Sequence, residues 1–229
     1  VLIASFPAGP WQTNCYVLAT QPGAECIVID PGMDAAAGVA EVVAEQHLKP
    51  VAVVLTHGHL DHMFSVAPVC SSYAAPAWIH PDDRALLSDP LRAMGPETQA
   101  MLQQITGTSA GFVEPDEVRE LTDGARLELA GLDLGAVHAP GHTPGSVMYR
   151  TAYPNDDEVD SLVFSGDVLF AGSIGRTDLP GGDHGDMLRS LRSKVLPLPD
   201  SVVVLPGHGP QTSMARERAT NPYLQEDAL

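Results

Sequence analysis

Thr56-His57-Gly58-His59-Leu60-Asp61-His62 places three of the chain's nine histidines and one carboxylate within six residues. Neutral imidazoles together with a carboxylate are borderline-hard ligands that suit zinc, iron or manganese. His57 and His59, two apart on extended backbone, can point the same way. Asp61 and His62, just beyond them, can point to a second position nearby. One short loop can therefore supply half the ligands of two adjacent metal ions.

The surroundings fit that reading. Residues 51–55, Val-Ala-Val-Val-Leu, form a continuous apolar run that reads as a buried strand. Met63 to Tyr73 reads as a helix. The cluster is thus expected at the carboxyl end of a buried strand, where open α/β sheets keep their chemistry.

Working outward, residues 2–6, 14–20 and 26–30 read as strands, the last closed by Pro31-Gly32. Ala35 to His47 reads as an Ala- and Val-rich amphipathic helix that stops near Pro50. This strand–helix–strand crossover makes the strands at 26–30 and 51–55 parallel neighbours. Ala77 to His80 reads as a further strand, and Pro81-Asp82-Asp83 as a helix start whose acids suit the positive helix end. Period-two alternation begins at Arg126-Leu127-Glu128-Leu129 and Leu132-Asp133-Leu134. Strands follow at 135–138, 146–151, 161–165 and 202–205, with helices at 183–195 and 213–224. Asn155 to Glu158 reads as a solvated acidic turn. The order of the two halves predicts an α/β fold, an αββα four-layer sandwich of two mixed β-sheets flanked by helices, in one domain over residues 1–229. Residues 88–116 are broken by Pro90, Gly95, Pro96, Gly107 and Pro115, with a short helix expected at 97–105. A segment of this kind is either a surface excursion or a lid over a site.

Composition limits the function. The 29 acidic and 12 basic residues give a net charge of −17, which argues against nucleic acid or an anionic membrane as partner. No stretch approaches the ~18 apolar residues of a membrane span. Cys15, Cys26 and Cys70 are too few and too scattered for a disulfide framework, and are expected to be buried thiols in a reducing compartment. Val1 to Phe6 lacks the basic segment and cleavage site of a signal peptide, so a cytoplasmic location is expected.

Four ligands from one loop cannot enclose two metals. Three later residues repeat one pattern, a lone polar side chain in a Gly-flanked turn after a buried strand: His142 in Pro140-Gly141-His142-Thr143-Pro144-Gly145, Asp167 in Ser165-Gly166-Asp167, and His208 in Pro206-Gly207-His208-Gly209. Glycine is expected there because it allows the sharp turn that aims the next side chain into a pocket. The remaining histidines, His47, His80, His138 and His184, read as structural, with His138 the one placed to support His142.

With these four stretches in this order, nearly the whole chain resembles the metallo-β-lactamase-fold hydrolases. Within them it resembles the short form of the glyoxalase II branch of hydroxyacylthioester hydrolases, which lacks a long C-terminal helical extension. The resemblance implies that His57, His59 and His142 hold one metal, that Asp61, His62 and His208 hold a second, and that Asp167 bridges them. It implies two divalent ions, zinc first, with iron or manganese as alternatives. Asp30 and Thr56 would support the metal loop without ligating. Asp61 and Asp167 would be the catalytic carboxylates, positioning a metal-bridging hydroxide that attacks the carbonyl of a small-molecule thioester. Arg176, nine residues after Asp167, matches a basic residue that binds the carboxylate of the thiol carrier; its alternative is an ion pair with Asp178. The longer enzymes have a Tyr two positions past the last ligand His, where this chain has Pro210, so the usual glutathione site is expected to be incomplete. Arg216 and Arg218 in the last helix are either substitutes or plain surface charge.

A second resemblance, carried by Gly175-Arg176-Thr177-Asp178, is to the mononuclear iron persulfide dioxygenases of the same fold. True β-lactamases commonly use Cys where Asp167 stands, the flavo-diiron oxidoreductases carry Glu where His59 stands, and the fold's nucleases need a basic groove.

Overall fold

Successive side chains on the central strands face opposite ways, and both faces are apolar. On β2 (Thr13–Ala19), Cys15, Val17 and Ala19 lie on one side while Tyr16 and Leu18 lie on the other. β3 (Glu25–Ile29) and β4 (Lys49–Val54) repeat this, with Val28 and Val53 outward and Ile27, Ile29, Ala52 and Val54 inward. A strand apolar on both faces has to be covered on both. A computed structural model, which describes residues 1–95, 99–100 and 112–229, shows how.

The first sheet has the order β1-β2-β3-β4-β5-β6, with β1 (Leu2–Ala8), β5 (Ala77–Ile79) and β6 (Val118–Glu120) completing it. β1, β2 and β3 are antiparallel neighbours; β3 to β6 run parallel. Helix α1 (Ala35–Glu45) makes the expected crossover between β3 and β4. The second sheet has the order β14-β13-β10-β9-β8-β7. Its strands are β7 (Arg126–Leu129), β8 (Leu132–His138), β9 (Val147–Ala152), β10 (Ser161–Gly166), β13 (Val202–Pro206) and β14 (Thr212–Ser213). A two-stranded hairpin, β11 (Leu169–Phe170) and β12 (Ser173–Ile174), stands beside it.

Three apolar layers alternate with the sheets. Tyr16, Ile29, Leu134, Tyr149 and Phe164 fill the space between them. α1 and α3 (Val66–Tyr73) cover the first sheet through Val39, Val66 and Val69. α5 (His184–Ser190) and α6 (Met214–Thr220) cover the second through Met187 and Met214. The fold is the αββα sandwich of two mixed sheets that the strand pattern predicts.

Several boundaries differ from the sequence reading. The helix expected at 63–73 begins earlier, as α2 (Leu60–Met63), breaks at Phe64–Ser65 and resumes as α3. The helix expected at 183–195 turns π-helical over Leu191–Val195, and the tail helix ends at Thr220 before a 3₁₀ turn at Pro222–Leu224. Of the helix expected at 97–105, Gln99 and Ala100 are helical and the rest lies outside the described residues. Among the described residues, no helix is long and apolar enough to cross a membrane.

Hydrogen bonds join the two sheets at the Val147 amide, which donates to Thr56 O (2.8 Å), and again at the start of β2. An isolated antiparallel bridge pairs Thr13 with His208. Beside it the Asn14 amide donates to Gly207 O (2.7 Å) and the Tyr16 hydroxyl to Pro206 O (2.7 Å). This joint fixes the start of β2 against the end of β13.

Cys15, Cys26 and Cys70 are free and buried in the layer under α1 and α3. Burial pushes the Cys26 and Cys70 thiols up to about 12 and Cys15 well above its ordinary value, with the Asp30 charge adding to the burial effect at Cys15. Thiolate is the reactive form. The native protein is therefore expected to resist a thiol reagent such as dithionitrobenzoate at pH 8 and to release all three thiols in guanidinium. Rapid titration of any of them in the native state would contradict this burial.

Candidate metal centre

All seven ligand-type side chains converge at the ends of strands from both sheets. His57 and His59 follow β4, and Asp61 and His62 lie in α2. His142 sits in the β8–β9 loop, Asp167 directly after β10, and His208 directly after β13. The ligand atoms of His57, His59 and His142 lie within 4.8 Å of one another, as do those of Asp61, His62 and His208. Asp167 stands between the groups: its Oδ1 is 3.3 Å from His62 Nε2, and its Oδ2 is 3.5 Å from His142 Nε2 and 3.6 Å from His208 Nε2.

Four of the five rings are oriented from behind. The Thr56 hydroxyl donates to Asp30 Oδ2 (2.6 Å) and can then accept from His57 Nδ1 (3.1 Å), which leaves His57 Nε2 as a lone pair facing the cluster. His62 Nδ1 donates to the same Asp30 oxygen (2.9 Å), His142 Nδ1 to the carbonyl of Arg176 (2.8 Å), and His208 Nδ1 to the carbonyl of Trp11 (3.1 Å). For these four rings the outer partner sets the tautomer and turns Nε2 inward; His59 differs, its Nδ1 facing the cluster 2.8 Å from His142 Nε2.

The donor set fits divalent cations. His57 Nε2, His59 Nε2 and Asp167 Oδ1 are buried without a hydrogen-bond partner, a costly state unless something else satisfies them. Burial, reinforced by His62 and His142, holds His57 far below the usual histidine value; burial and His142 bring His59 down to about 3. Both are neutral ligands at pH 7. Burial would raise Asp61 and Asp167, but the facing imidazoles, His62 first, reverse this and keep both carboxylates ionised. Asp30, Asp61 and Asp167 meet here with no Lys or Arg among the ligands; against the effect of burial they raise His62 well above its ordinary value, so positive charge at the centre comes from that ring or from a bound cation.

Two glycines are needed for different reasons. Gly166 has φ +49° and sits where a Cβ would approach Thr56 Oγ1 to 2.5 Å. Gly207 has no unusual backbone, contrary to the expectation of a glycine-dependent turn there. A Cβ at Gly207 would collide with Asp167 Oδ1 and His62 Cε1.

Asp83 is a second brace that the sequence reading missed. Asp83 is fully buried, and accepts from the Gly58 amide (2.9 Å), the Thr143 hydroxyl (2.7 Å) and the Gly145 amide (2.8 Å). It ties the His57–His59 loop to the His142 loop. Its position in α4 (Pro81–Arg84) gave it a local explanation as a helix-start acid, and nothing in the sequence displays its distant partners. His138 also braces the His142 loop, donating from Nε2 to Pro144 O (2.8 Å) while stacking on His80.

The centre floors a cavity of about 490 Å³ whose walls include Trp11, Met94, Phe170, Ile174 and Leu179. Met94 comes from the described part of the 88–116 segment. Arg176 is the one Lys or Arg among the described residues lining the cavity. Its Nε and Nη2 donate to the two oxygens of Asp178 at 2.7 and 2.8 Å, and this contact brings Asp178 down to about 2. Arg218 does not approach the site: it donates to Asp200 and to the carbonyls of Leu196 and Leu198. Arg216 is not among the lining residues either.

An αββα sandwich with such a cluster at the joint of its sheets defines a metal-dependent hydrolase scaffold. The chain belongs to the metallo-beta-lactamase superfamily, whose family profile matches residues 8–208. It is 44% identical over 226 residues to an uncharacterized protein of Mycobacterium tuberculosis, Rv2581c, covering 98% of both chains. It is 37% identical to the probable metallo-hydrolase YqgX of Bacillus subtilis and 32% identical to the hydroxyacylglutathione hydrolase GloC of Haemophilus influenzae, with 97% of each chain covered in both cases. Among solved structures it is similar to BLEG-1 B3 metallo-beta-lactamase (TM-score 0.81, 38% identity, 98% of this chain and 100% of that one). It is also similar to TTHA1623 in a di-iron-bound form (TM-score 0.75, 36% identity, the same coverage).

Asp83→Asn keeps the shape of the side chain but turns a donor toward groups that are themselves donors. The variant is expected to fold, and to lose metal affinity by about 10- to 100-fold, the range seen when partners behind a ligand are altered. Competition with a chromogenic chelator measures this; unchanged affinity would remove Asp83 from the support of the centre.

Proposed function

We propose that this protein hydrolyses a small-molecule 2-hydroxyacyl thioester, with His57, His59 and His142 holding one divalent ion, Asp61, His62 and His208 a second, and Asp167 shared between them. The observation that carries this reading is the placement of Asp167, whose carboxylate lies within 3.6 Å of imidazoles from both groups. The similarity to GloC supports a thioester substrate. The di-iron form of TTHA1623 keeps iron beside zinc and manganese as the resident metal.

Divalent ions bound here supply an acidified water as nucleophile at neutral pH and an electrophile for the carbonyl. The chain's own residues do the rest. Asp30, through Thr56 and His62, and the carbonyls of Arg176 and Trp11 hold the rings at fixed angles. Asp61 and Asp167 stay ionised and balance the cationic charge. Trp11, Phe170, Ile174 and Leu179 set apolar surface beside the reacting carbonyl. A C–O bond forms at that carbonyl, the C–S bond breaks, and the thiol carrier leaves as thiolate and takes up a proton from water. A thiolate with an ordinary pKa of about 8.5 needs no strong general acid to leave. In keeping with that, no Glu, Lys or Tyr lines the cavity among the described residues.

Two other readings have their own support. The likeness to BLEG-1 points to β-lactams. The persulfide dioxygenase reading needs a single iron on the His57, His59 and His142 side, and the convergence of Asp61, His62 and His208 speaks for two ions instead.

The experiment is metal analysis beside turnover of a panel of 2-hydroxyacyl thioesters, nitrocefin, and glutathione persulfide with oxygen uptake. Two ions per chain and thioester hydrolysis are expected. Asp167→Ala should lose metal and activity together, with kcat/KM down by about 100-fold or more, beyond what altering an outer partner costs. Full turnover by metal-loaded Asp167→Ala, nitrocefin as the best substrate, or one iron with oxygen uptake would overturn the proposal.

A further inference from the structure

The mouth of the cavity is poor in positive charge. Arg176 is its one Lys or Arg among the described residues, and the fork of its guanidinium already grips both oxygens of Asp178. The pair is electrically neutral as a unit. The Arg176 carbonyl accepts from the ring of His142 (2.8 Å), which fixes its backbone at the rim, while the paired side chains of Arg176 and Asp178 are 61% and 68% exposed. Arg218 is committed to Asp200 and two carbonyls on the far side of α6. Arg92, next to the wall residue Ala93, lines a neighbouring cleft beside Asp82 and Pro144. Residues 96–111 contain no Lys or Arg at all. The chain as a whole carries a net charge of −17.

A carrier bearing carboxylates needs cations with open donors, and like charge along its approach opposes it. This cavity offers apolar walls from Trp11, Met94, Phe170, Ile174 and Leu179. Beyond the ligand-type residues its polar lining is Ser173 and Arg176, the latter paired with Asp178 just outside. The guanidinium's remaining N–H groups can donate to a carbonyl or hydroxyl. We infer that the thiol carrier of the substrate is uncharged, an amide- or hydroxyl-bearing thiol without carboxylates, and that Asp178 sets this preference by closing the Arg176 fork. The inference rests on the thioester-hydrolase reading above. It departs from the expectation that Arg176 binds a carboxylate of the carrier.

The test uses the metal-loaded full chain and two substrates that differ in one charge: the 2-hydroxyacyl thioesters of N-acetylcysteine and of N-acetylcysteine amide. The wild-type protein is expected to favour the amide by about 10-fold in kcat/KM at low ionic strength, and the ratio should shrink as salt screens the rim. Asp178→Asn opens the fork and should bring the ratio to within about threefold of unity. Arg176→Gln leaves Asp178 unopposed and should widen it. Opposite movements of one ratio are not the signature of a fold defect. Equal or better use of the carboxylate by the wild type, or a ratio that neither variant moves, would overturn the carrier assignment while leaving the hydrolase reading standing. Hydrolysis of neither thioester would overturn both.

Discussion

The carboxylate of Asp30 is the contact on which the metal centre depends. It is buried, and its two oxygens accept from the Thr56 amide, the Thr56 hydroxyl and the His62 ring. One side chain at the end of β3 therefore fixes the end of β4 and a ligand in α2. To place it, Asp30 adopts φ +49°, a region that Asp tolerates better than most residues. Loss of this carboxylate would leave three interior donors unpaired, each costing about 1–3 kcal/mol. The strain is tolerable because the parallel pairing of β3 with β4 holds both strand ends in register.

A similar logic recurs on the other wall of the site. Asp83 joins two ligand loops, and Glu217 joins the tail to the hairpin. Glu217 is fully buried and accepts from the Gly172 amide, the Thr212 hydroxyl and the Asn221 amide. The hairpin it holds carries Phe170 and Ile174 into the cavity wall. Ligand geometry in this protein is thus set by buried carboxylates one step removed from the ligands. Each of them is fully hydrogen-bonded, as burial of a charge requires.

What the sequence made legible follows from physical range. The runs 26–30 and 51–55 read as strands because they are apolar on both faces, and the seven ligand-type residues stood out because each closes such a strand or falls in the histidine cluster. β11, β12 and β14 are two residues long and β6 three, too short for any period to show. The break at Phe64–Ser65 lies inside a good helical pattern. Asp30 was found only through family resemblance. Asp83 and Glu217 were missed because their partners lie far away along the chain, and a lone acid near a helix always has an adequate local reason. Gly207 was correctly noticed for the wrong cause: it matters for the space it leaves, and its backbone is ordinary.

The two sheets are drawn from separate stretches of chain, β1 to β6 before residue 121 and β7 to β14 after residue 125. His57, His59, Asp61 and His62 belong to the first stretch; His142, Asp167 and His208 belong to the second. Neither half can assemble the centre alone. A cation held by both acts as a stitch across the seam between two modules, and its binding energy becomes cohesion between them. Ligand present at 100 times its dissociation constant adds about 2.7 kcal/mol to the folded state. A metal-starved chain would lose that contribution and keep only the hydrogen bonds that cross the seam, at Thr13 and His208 and at Thr56 and Val147, with the apolar layer between the sheets.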